Sequence, residues 1–312
     1  MTQAGATRGG FIPLAPPSGR GRLFARRAFG SPGLLARDLF VWVPDAPAPQ
    51  DGFPVLYVQD GQNLFDARLV PFGTAWEIDR SMARLADAGT IAPAIVVGVA
   101  STADRFLDYA PALVLDRLPP SARGAIESAW GGAARSADYA RLVIEEVKPL
   151  IDAHFATSRS ADATFLAGSS LGAAVALETL ARYPDRVAGA VCLSAHFSLL
   201  PVTETEVLPA HFAADVTAAV TDFANACLPR AGRHAVWIDR STLGIDRFYG
   251  PTHAAIVTAL SRLGFVDGID LAARCYPGVG HDEGAWRVRL DEALIFLLGH
   301  AERSRRASAR LR

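Results

Sequence analysis

Cysteine, methionine and lysine are scarce in this 312-residue chain, which has three, two and one of them, the lysine being Lys148. Cys192, Cys227 and Cys275 form no Cys-x-x-Cys pair and sit in apolar strand or helix patterns. That spacing excludes a zinc ribbon or a disulfide framework, and it predicts buried thiols in a reducing compartment. All but one of the 31 basic residues are arginine, which in so alanine-rich a chain reads as genome composition rather than an arginine-specific surface. A formal net charge of −1 supplies no attraction toward nucleic acid or an anionic membrane, so neither is expected as a partner. No apolar run is long enough to cross a bilayer, and residues 1–22, rich in Gly, Pro and Arg, lack the apolar core of a secretory signal. The expected location is the cytoplasm.

What is present suits one α/β domain. Half of the residues are hydrophobic and a fifth are charged, enough for a large core at this length. Apolar runs at 35–43, 52–59, 94–99, 161–167, 187–193, 235–239 and 269–276 read as strands, with helical spacing between them, as at 138–154. Alternation of this kind predicts a mostly parallel sheet covered by helices on both faces. The expected organisation is a disordered segment over 1–22, a single domain over 23–301 and a basic disordered tail over 302–312. The interval 197–232 is long for a connection and would form either a lid over a pocket or a peripheral ornament.

One stretch carries chemistry. Thr164-Phe165-Leu166-Ala167 leads into Gly168-Ser169-Ser170-Leu171-Gly172, and an alanine-rich helical pattern follows at once. Strand, sharp turn and helix in that order expose a serine on a strained elbow as a nucleophile. Side chains at Gly168 and Gly172 would collide with the neighbouring strand or with the helix itself. Leu171, at the helix start, would offer its N–H to an oxyanion forming on a substrate.

A nucleophilic serine needs a base and a carboxylate to orient it, in the chain order serine, acid, histidine. Of the seven histidines, His281 alone follows a turn cluster after the last strand pattern and precedes a helix, so it can reach back toward Ser170. Two acids suit the order. Asp239 ends the strand pattern 235–239, and Asp246 lies in the loop after it. Asp222, inside a helical pattern, and Asp270, at a strand start, suit surface roles.

These residues together resemble the esterase D / enterochelin-esterase-like group of α/β-hydrolases, over nearly the whole chain after about residue 35. Five blocks carry the resemblance in order: Val55 to Asp66 with Asp60-Gly61-Gln62-Asn63; Thr74-Ala75-Trp76-Glu77-Ile78-Asp79; Pro93 to Val99 with Arg105, Asp108, Tyr109 and Pro111; the elbow; and His281-Asp282-Glu283-Gly284-Ala285-Trp286. The resemblance implies an α/β-hydrolase fold and a second oxyanion N–H from Gln62. It favours Asp246 over Asp239 as the acid, although the loop Asp239-Arg240-Ser241-Thr242-Leu243-Gly244-Ile245-Asp246 departs from the family pattern at Ser241 and Leu243.

The implied activity is hydrolysis of a carboxylic ester, a siderophore lactone or a small acyl ester, through Ser170, His281 and Asp246, with no metal or organic cofactor. Arg105, Tyr109, His196, Phe197 and Trp286 are the candidates to line the substrate pocket. Acyl transfer, thioester hydrolysis and a silent hydrolase-fold binding protein are the alternatives, and the altered 241–244 loop is the one feature that favours the last.

Overall fold

Short apolar runs build the centre of the molecule. In the computed structural model, whose described residues are 10–70, 73–199 and 209–299, nine strands form one sheet. They are β1 (Ile12–Leu14), β2 (Arg22–Ser31), β3 (Leu34–Val43), β4 (Val55–Gln59), β5 (Ile95–Val99), β6 (Thr164–Ser169), β7 (Gly189–Leu193), β8 (Ala235–Ser241) and β9 (Leu271–Tyr276). Their spatial order is β1-β2-β3-β5-β4-β6-β7-β8-β9. The β1–β2, β2–β3 and β3–β5 pairs are antiparallel, and every pair from β5 through β4 to β9 is parallel.

Both faces of the parallel part are buried, as continuous apolar runs require. Successive side chains alternate between them. Val55, Tyr57, Ile95, Val97, Leu166, Ala190, Cys192, Val236 and Ile238 enter one core. Leu56, Val58, Val96, Phe165, Ala167, Val191, Leu193 and Trp237 enter the other. The helices Leu171–Arg182, Ala210–Cys227 and Gly250–Arg262 cover the first face, and Ile78–Asp87 and Glu283–Leu298 cover the second. The α/β architecture expected from the alternating pattern is therefore present.

The N-terminal segment differs from its expectation. Residues 12–14, expected to be disordered, pair with β2 in the register Ile12↔Ala25, Pro13↔Phe24 and Leu14↔Leu23. Phe11 is fully buried, with its ring 5.1 Å from that of Phe155. The strand β2 escaped sequence reading because Arg22, Arg26 and Arg27 interrupt its apolar alternation. Residues 1–9 and the expected tail 302–312 lie outside the described residues.

Two further differences have local causes. The helical stretch expected at 138–154 is helical but contains a π turn over Leu142–Val147, which ends two residues before Pro149. Proline brings no N–H to the ladder, and a wider turn takes up the mismatch. In the interval expected as either a lid or an ornament, residues 200–208 lie outside the described residues. The helix Ala210–Cys227 turns Phe212, Val216, Val220 and Phe223 into the core beside the helix Gly250–Arg262. Of the cysteines only Cys192 is buried, while Cys227 is half-buried and Cys275 exposed.

The join between β6 and the helix Leu171–Arg182 is the tightest of these contacts. A Cβ on Gly168 would stand 2.3 Å from the carbonyl oxygen of Gly172, which is backbone and cannot rotate away. Gly168→Ala is expected to destabilise the fold by about 3 kcal/mol, in the range of overpacked cores, read as a shifted midpoint with unchanged slope in urea.

Candidate active site

The strand β6 delivers Ser170 to a turn with φ 55° and ψ −126°, a left-handed conformation that serine rarely adopts. Backbone hydrogen bonds hold it there. Its N–H donates to the Leu193 carbonyl at 2.9 Å, and its carbonyl accepts from Ala173, Ala174 and His196 at 3.1, 3.2 and 3.1 Å. The second elbow glycine, Gly172, lies against β4, where an added Cβ would stand 3.0 Å from Gln59 Cβ. Ser170 is thereby wedged between the carboxyl ends of β6 and β7, the end at which α/β sheets place their sites.

His281, in the loop after β9, brings Nε2 to 3.0 Å from Ser170 Oγ, and its Nδ1 hydrogen-bonds Asp246 Oδ1. Asp246 sits in the short turn Gly244–Phe248 after β8 and is fully buried. Its Oδ2 accepts from the Ser194 hydroxyl at 2.7 Å and from the Ser241 N–H at 2.5 Å. Burial opposes its ionisation, but the hydrogen bonds from His281, Ser194 and Ser241 and the His281 charge hold its carboxyl below the usual value. Between the two acids left open by the sequence, the fold joins Asp246 to His281.

Asp239 has a different partner. Its carboxylate meets Arg289 Nη2 at 3.0 Å and accepts from the Ser194 N–H and from Trp237 Nε1, at 2.8 and 2.9 Å. Burial pushes its carboxyl up to about 6, against the pull of Arg289. Arg289 also donates to Ser194 Oγ and to Ser241 Oγ, both at 2.6 Å. Ser194 Oγ further accepts from Trp286 Nε1 at 3.1 Å. With two donors already aimed at its oxygen, its own proton is directed to Asp246. Ser241, where the loop departs from the family pattern, thus supplies a donor to the carboxylate that orients His281.

On the other side of Ser170, the turn Gly61–Asn63 follows β4 through Asp60, itself left-handed at φ 56°. Gly61 packs on β5 so closely that a Cβ would stand 2.5 Å from the Gly98 carbonyl carbon. Arg105 clamps Asp60 with two bonds of 2.8 Å, and the Asp60 N–H donates to the Tyr109 hydroxyl at 3.1 Å. Gln62 exchanges bonds with Ser101, Nε2 to Oγ at 2.8 Å and Ser101 N–H to Oε1 at 3.0 Å. Gln62 and Leu171 both stand in the first turn of a helix, where N–H groups have no intrahelical acceptor.

The five expected pocket residues separate. Arg105 keeps 28% of its side chain exposed. Trp286 is nearly buried, with its ring edge-on to His281 at 5.0 Å between centroids. His196 is buried, its Nδ1 hydrogen-bonded to the Tyr249 hydroxyl. Tyr109 and Phe197 are corrected: both are fully enclosed, Tyr109 beneath Asp60 and Phe197 stacked on Phe223 at 6.2 Å. Apolar residues near a site are first of all core. Sequence reading missed Ser194, Tyr249 and Arg289. Only the last left a signal, an arginine within the apolar stripe Trp286, Leu290, Ala293 that burial would force to find a carboxylate.

Residues 36–297 match the model of the Esterase family. A curated relative, the ferri-bacillibactin esterase BesA of Bacillus subtilis (strain 168), is 28% identical over 153 residues, 47% of this chain and 49% of the relative. The chain thus spans about half the length of that relative in the match. Among solved structures, the BES protein from Bacillus cereus superposes with a TM-score of 0.55 at 19% identity, covering 88% of this chain and 94% of the other. An IroE-like serine hydrolase from Shewanella oneidensis gives 0.60 at 17%, covering 88% and 79%. The enterobactin esterase FES from Shigella flexneri gives 0.58 at 17%, covering 95% and 64%. At such identities these structures establish a shared fold.

Two outcomes follow from the buried acid. Ser194→Ala removes a hydrogen bond to a carboxylate and leaves two donors without their acceptor, so unfolding should become easier by about 2–3 kcal/mol in a denaturant melt. A carboxyl held low stabilises the fold above its unfolded value of about 3.9 and loses that contribution as pH falls through its folded value. The stability of the wild type relative to Asp246→Asn should therefore fall as thermal melts are taken below about pH 4; a relative stability that rises there contradicts the assignment.

Proposed function

Because the chain belongs to the Esterase family, whose model it matches over residues 36–297, we propose that it is a serine hydrolase cleaving carboxylic esters through Ser170, His281 and Asp246. The observation that carries this reading is the unbroken line from Ser170 Oγ through both ring nitrogens of His281 to Asp246.

His281 Nε2 takes the Ser170 proton as Oγ attacks the ester carbonyl, and Asp246 fixes the imidazole tautomer and stabilises the cation. The N–H groups of Leu171 and Gln62 receive the negative charge that grows on the carbonyl oxygen, a contribution of roughly 3–4 kcal/mol per donor. His281 then returns the proton to the leaving alcohol. Water repeats the sequence on the acyl-enzyme and frees the acid.

The substrate proposed is a siderophore lactone or a small acyl ester. The names of the relatives, bacillibactin and enterobactin esterases, support that class. Arg105, whose guanidinium is already paired with Asp60 through two bonds of 2.8 Å, keeps part of its side chain exposed and would offer a ligand hydrogen-bond donors rather than net charge. No helix among the described residues is long and apolar enough to cross a membrane. A soluble cytoplasmic setting belongs to the same proposal.

Purified protein should hydrolyse p-nitrophenyl acetate and butyrate, and Ser170→Ala should abolish that turnover with the fold intact by circular dichroism. Turnover that survives in the variant would remove Ser170 from the chemistry. Asp246→Asn should lower kcat by about four orders of magnitude through the wrong imidazole tautomer. Near-normal kcat there would return the role to Asp239.

A further inference from the structure

The proposed reaction draws on two loops from opposite ends of the chain, and one side-chain bond joins them. The turn Gly61–Asn63 carries Gln62, and the loop after β9 carries His281 just ahead of the helix Glu283–Leu298. Asn63 Nδ2 donates to Glu283 Oε1 at 3.1 Å, across 220 positions of sequence. Glu283 is buried at the first position of that helix, two residues beyond His281. The helix start is itself fixed, because Asp282 caps it by accepting from the Ala285 N–H at 2.9 Å. The Asn63 backbone is fixed as well. Its N–H donates to the Asp60 carbonyl at 2.8 Å, and its carbonyl accepts from the Trp76 N–H at 2.9 Å. The bond therefore joins two anchored ends.

The segment that holds the Asn63 carbonyl lies against the same helix start. The Trp76 and Trp286 rings stand 6.3 Å apart between centroids, and Glu77 pairs with Arg287 at 3.1 Å. That ion pair is exposed on both sides, so water screens it and it fixes little. Of these three contacts, only the one at Glu283 reaches the turn that carries Gln62. An ionised carboxylate can only accept, so the Asn63 amide presents Nδ2 to it. Asn63 Oδ1 is buried with no hydrogen-bond partner among the described residues, which leaves Glu283 as the polar partner of this side chain there. Burial, with Asp60 and Asp282 nearby, raises the Glu283 carboxyl above its ordinary value against the pull of the His281 charge. An amide carbonyl at this place would keep the acceptor without a charge to desolvate.

Resting on the serine esterase reading, we infer that Glu283 is a positioning residue: through Asn63 it fixes the turn that carries the Gln62 N–H relative to the loop that carries His281. In that reaction charge grows on the carbonyl oxygen, which Gln62 serves, while His281 takes a proton from the Ser170 oxygen that attacks the same carbon. Both groups must be in place at one moment. A misplacement of about 1 Å in such an arrangement costs on the order of 100-fold in rate. Binding of the unreacted ester asks for no such register, so the contribution of Glu283 falls on kcat and leaves KM nearly alone.

Steady-state hydrolysis of p-nitrophenyl butyrate tests this in the wild type, Ser170→Ala, Glu283→Ala, Glu283→Gln, Asn63→Asp and the pair Asn63→Asp/Glu283→Gln. Glu283→Ala removes the acceptor, and kcat is expected to fall on the order of 10- to 100-fold with KM within about threefold. Glu283→Gln keeps a carbonyl for Asn63 and should recover most of that loss. Asn63→Asp sets two carboxylates against each other and should lose as much as Glu283→Ala. In the pair, the amide at 283 donates to the carboxylate at 63, the bond runs in reverse, and kcat should return to within about threefold of Glu283→Gln. The comparison of Asn63→Asp with the pair decides the matter alone if Glu283→Ala does not fold. An unchanged kcat in Glu283→Ala, a loss confined to KM, a Glu283→Gln no better than Glu283→Ala, or a pair no better than Asn63→Asp would overturn the inference. Retained turnover in Ser170→Ala, or a wild type that neither turns over the ester nor is labelled by a fluorophosphonate, would instead overturn the esterase reading on which it rests.

Discussion

A carboxylate without access to water, Asp246, sits under the candidate site, and its need for donors organises the surrounding residues. Stripping such a charge of solvent costs several kcal/mol unless its oxygens are occupied. Three donors reach it from three places in the chain: the hydroxyl at the end of β7, a backbone N–H at the end of β8, and the imidazole after β9. The first of these is fixed in turn by Arg289 and Trp286 on the last helix, and Arg289 is neutralised by Asp239. Two buried carboxylates and one buried guanidinium are thereby coupled through Ser194, whose own φ of 45° is another left-handed exception among the non-glycine residues. The C-terminal helix is tied to the site for this reason.

The second constraint is backbone against backbone. The elbow at Ser170 and the turn that carries Gln62 can lie side by side only if the backbones around β6, its helix, β4 and β5 approach more closely than side chains permit. Gly168 and Gly172 allow the first approach, and Gly61 and Gly98 allow the second, with each member of the latter pair leaving under 3 Å for a Cβ. The left-handed residues Asp60 and Ser170 are the kinks that these approaches require. Their strain is held by tertiary bonds: Arg105 and Tyr109 on Asp60, and the Leu193 and His196 backbone on Ser170.

This gives a physical role to the block Arg105, Asp108, Tyr109, of which Arg105 and Tyr109 read in the sequence as pocket residues. Asp108 is buried and paired with Arg37 at 3.0 Å and with Arg135 at 3.2 Å, so it locks the short helix Arg105–Tyr109 to β3 and to the segment beyond it. From that base Arg105 and Tyr109 hold Asp60, and Asp60 sets the turn that carries Gln62. The block is mainly a scaffold for the turn, and Arg105 is its one member with an exposed face.

Local patterns made much of this legible. Buried parallel strands announce themselves as uninterrupted apolar runs, an elbow as glycines at fixed spacing, and a histidine after the last strand as a group able to reach the sheet edge. Those signals are written within a dozen residues, and they named Ser170, His281 and the two aspartates. Signals that depend on distant partners were silent. Phe11 against Phe155, Arg289 against Asp239 at a separation of fifty positions, and Tyr249 against His196 leave no periodicity to read. Tyr109 and Phe197 were misread for the same reason, since an aromatic residue looks alike from its sequence neighbours whether it faces a pocket or a core. The sequence by itself determined the alternation of strands and helices, the elbow and the chain order of the candidate groups, because each follows from local sterics and spacing. Only the tertiary structure decided that Asp246 rather than Asp239 meets His281, because both acids lie within reach of the loop and burial beside Arg289 is what withdraws one of them.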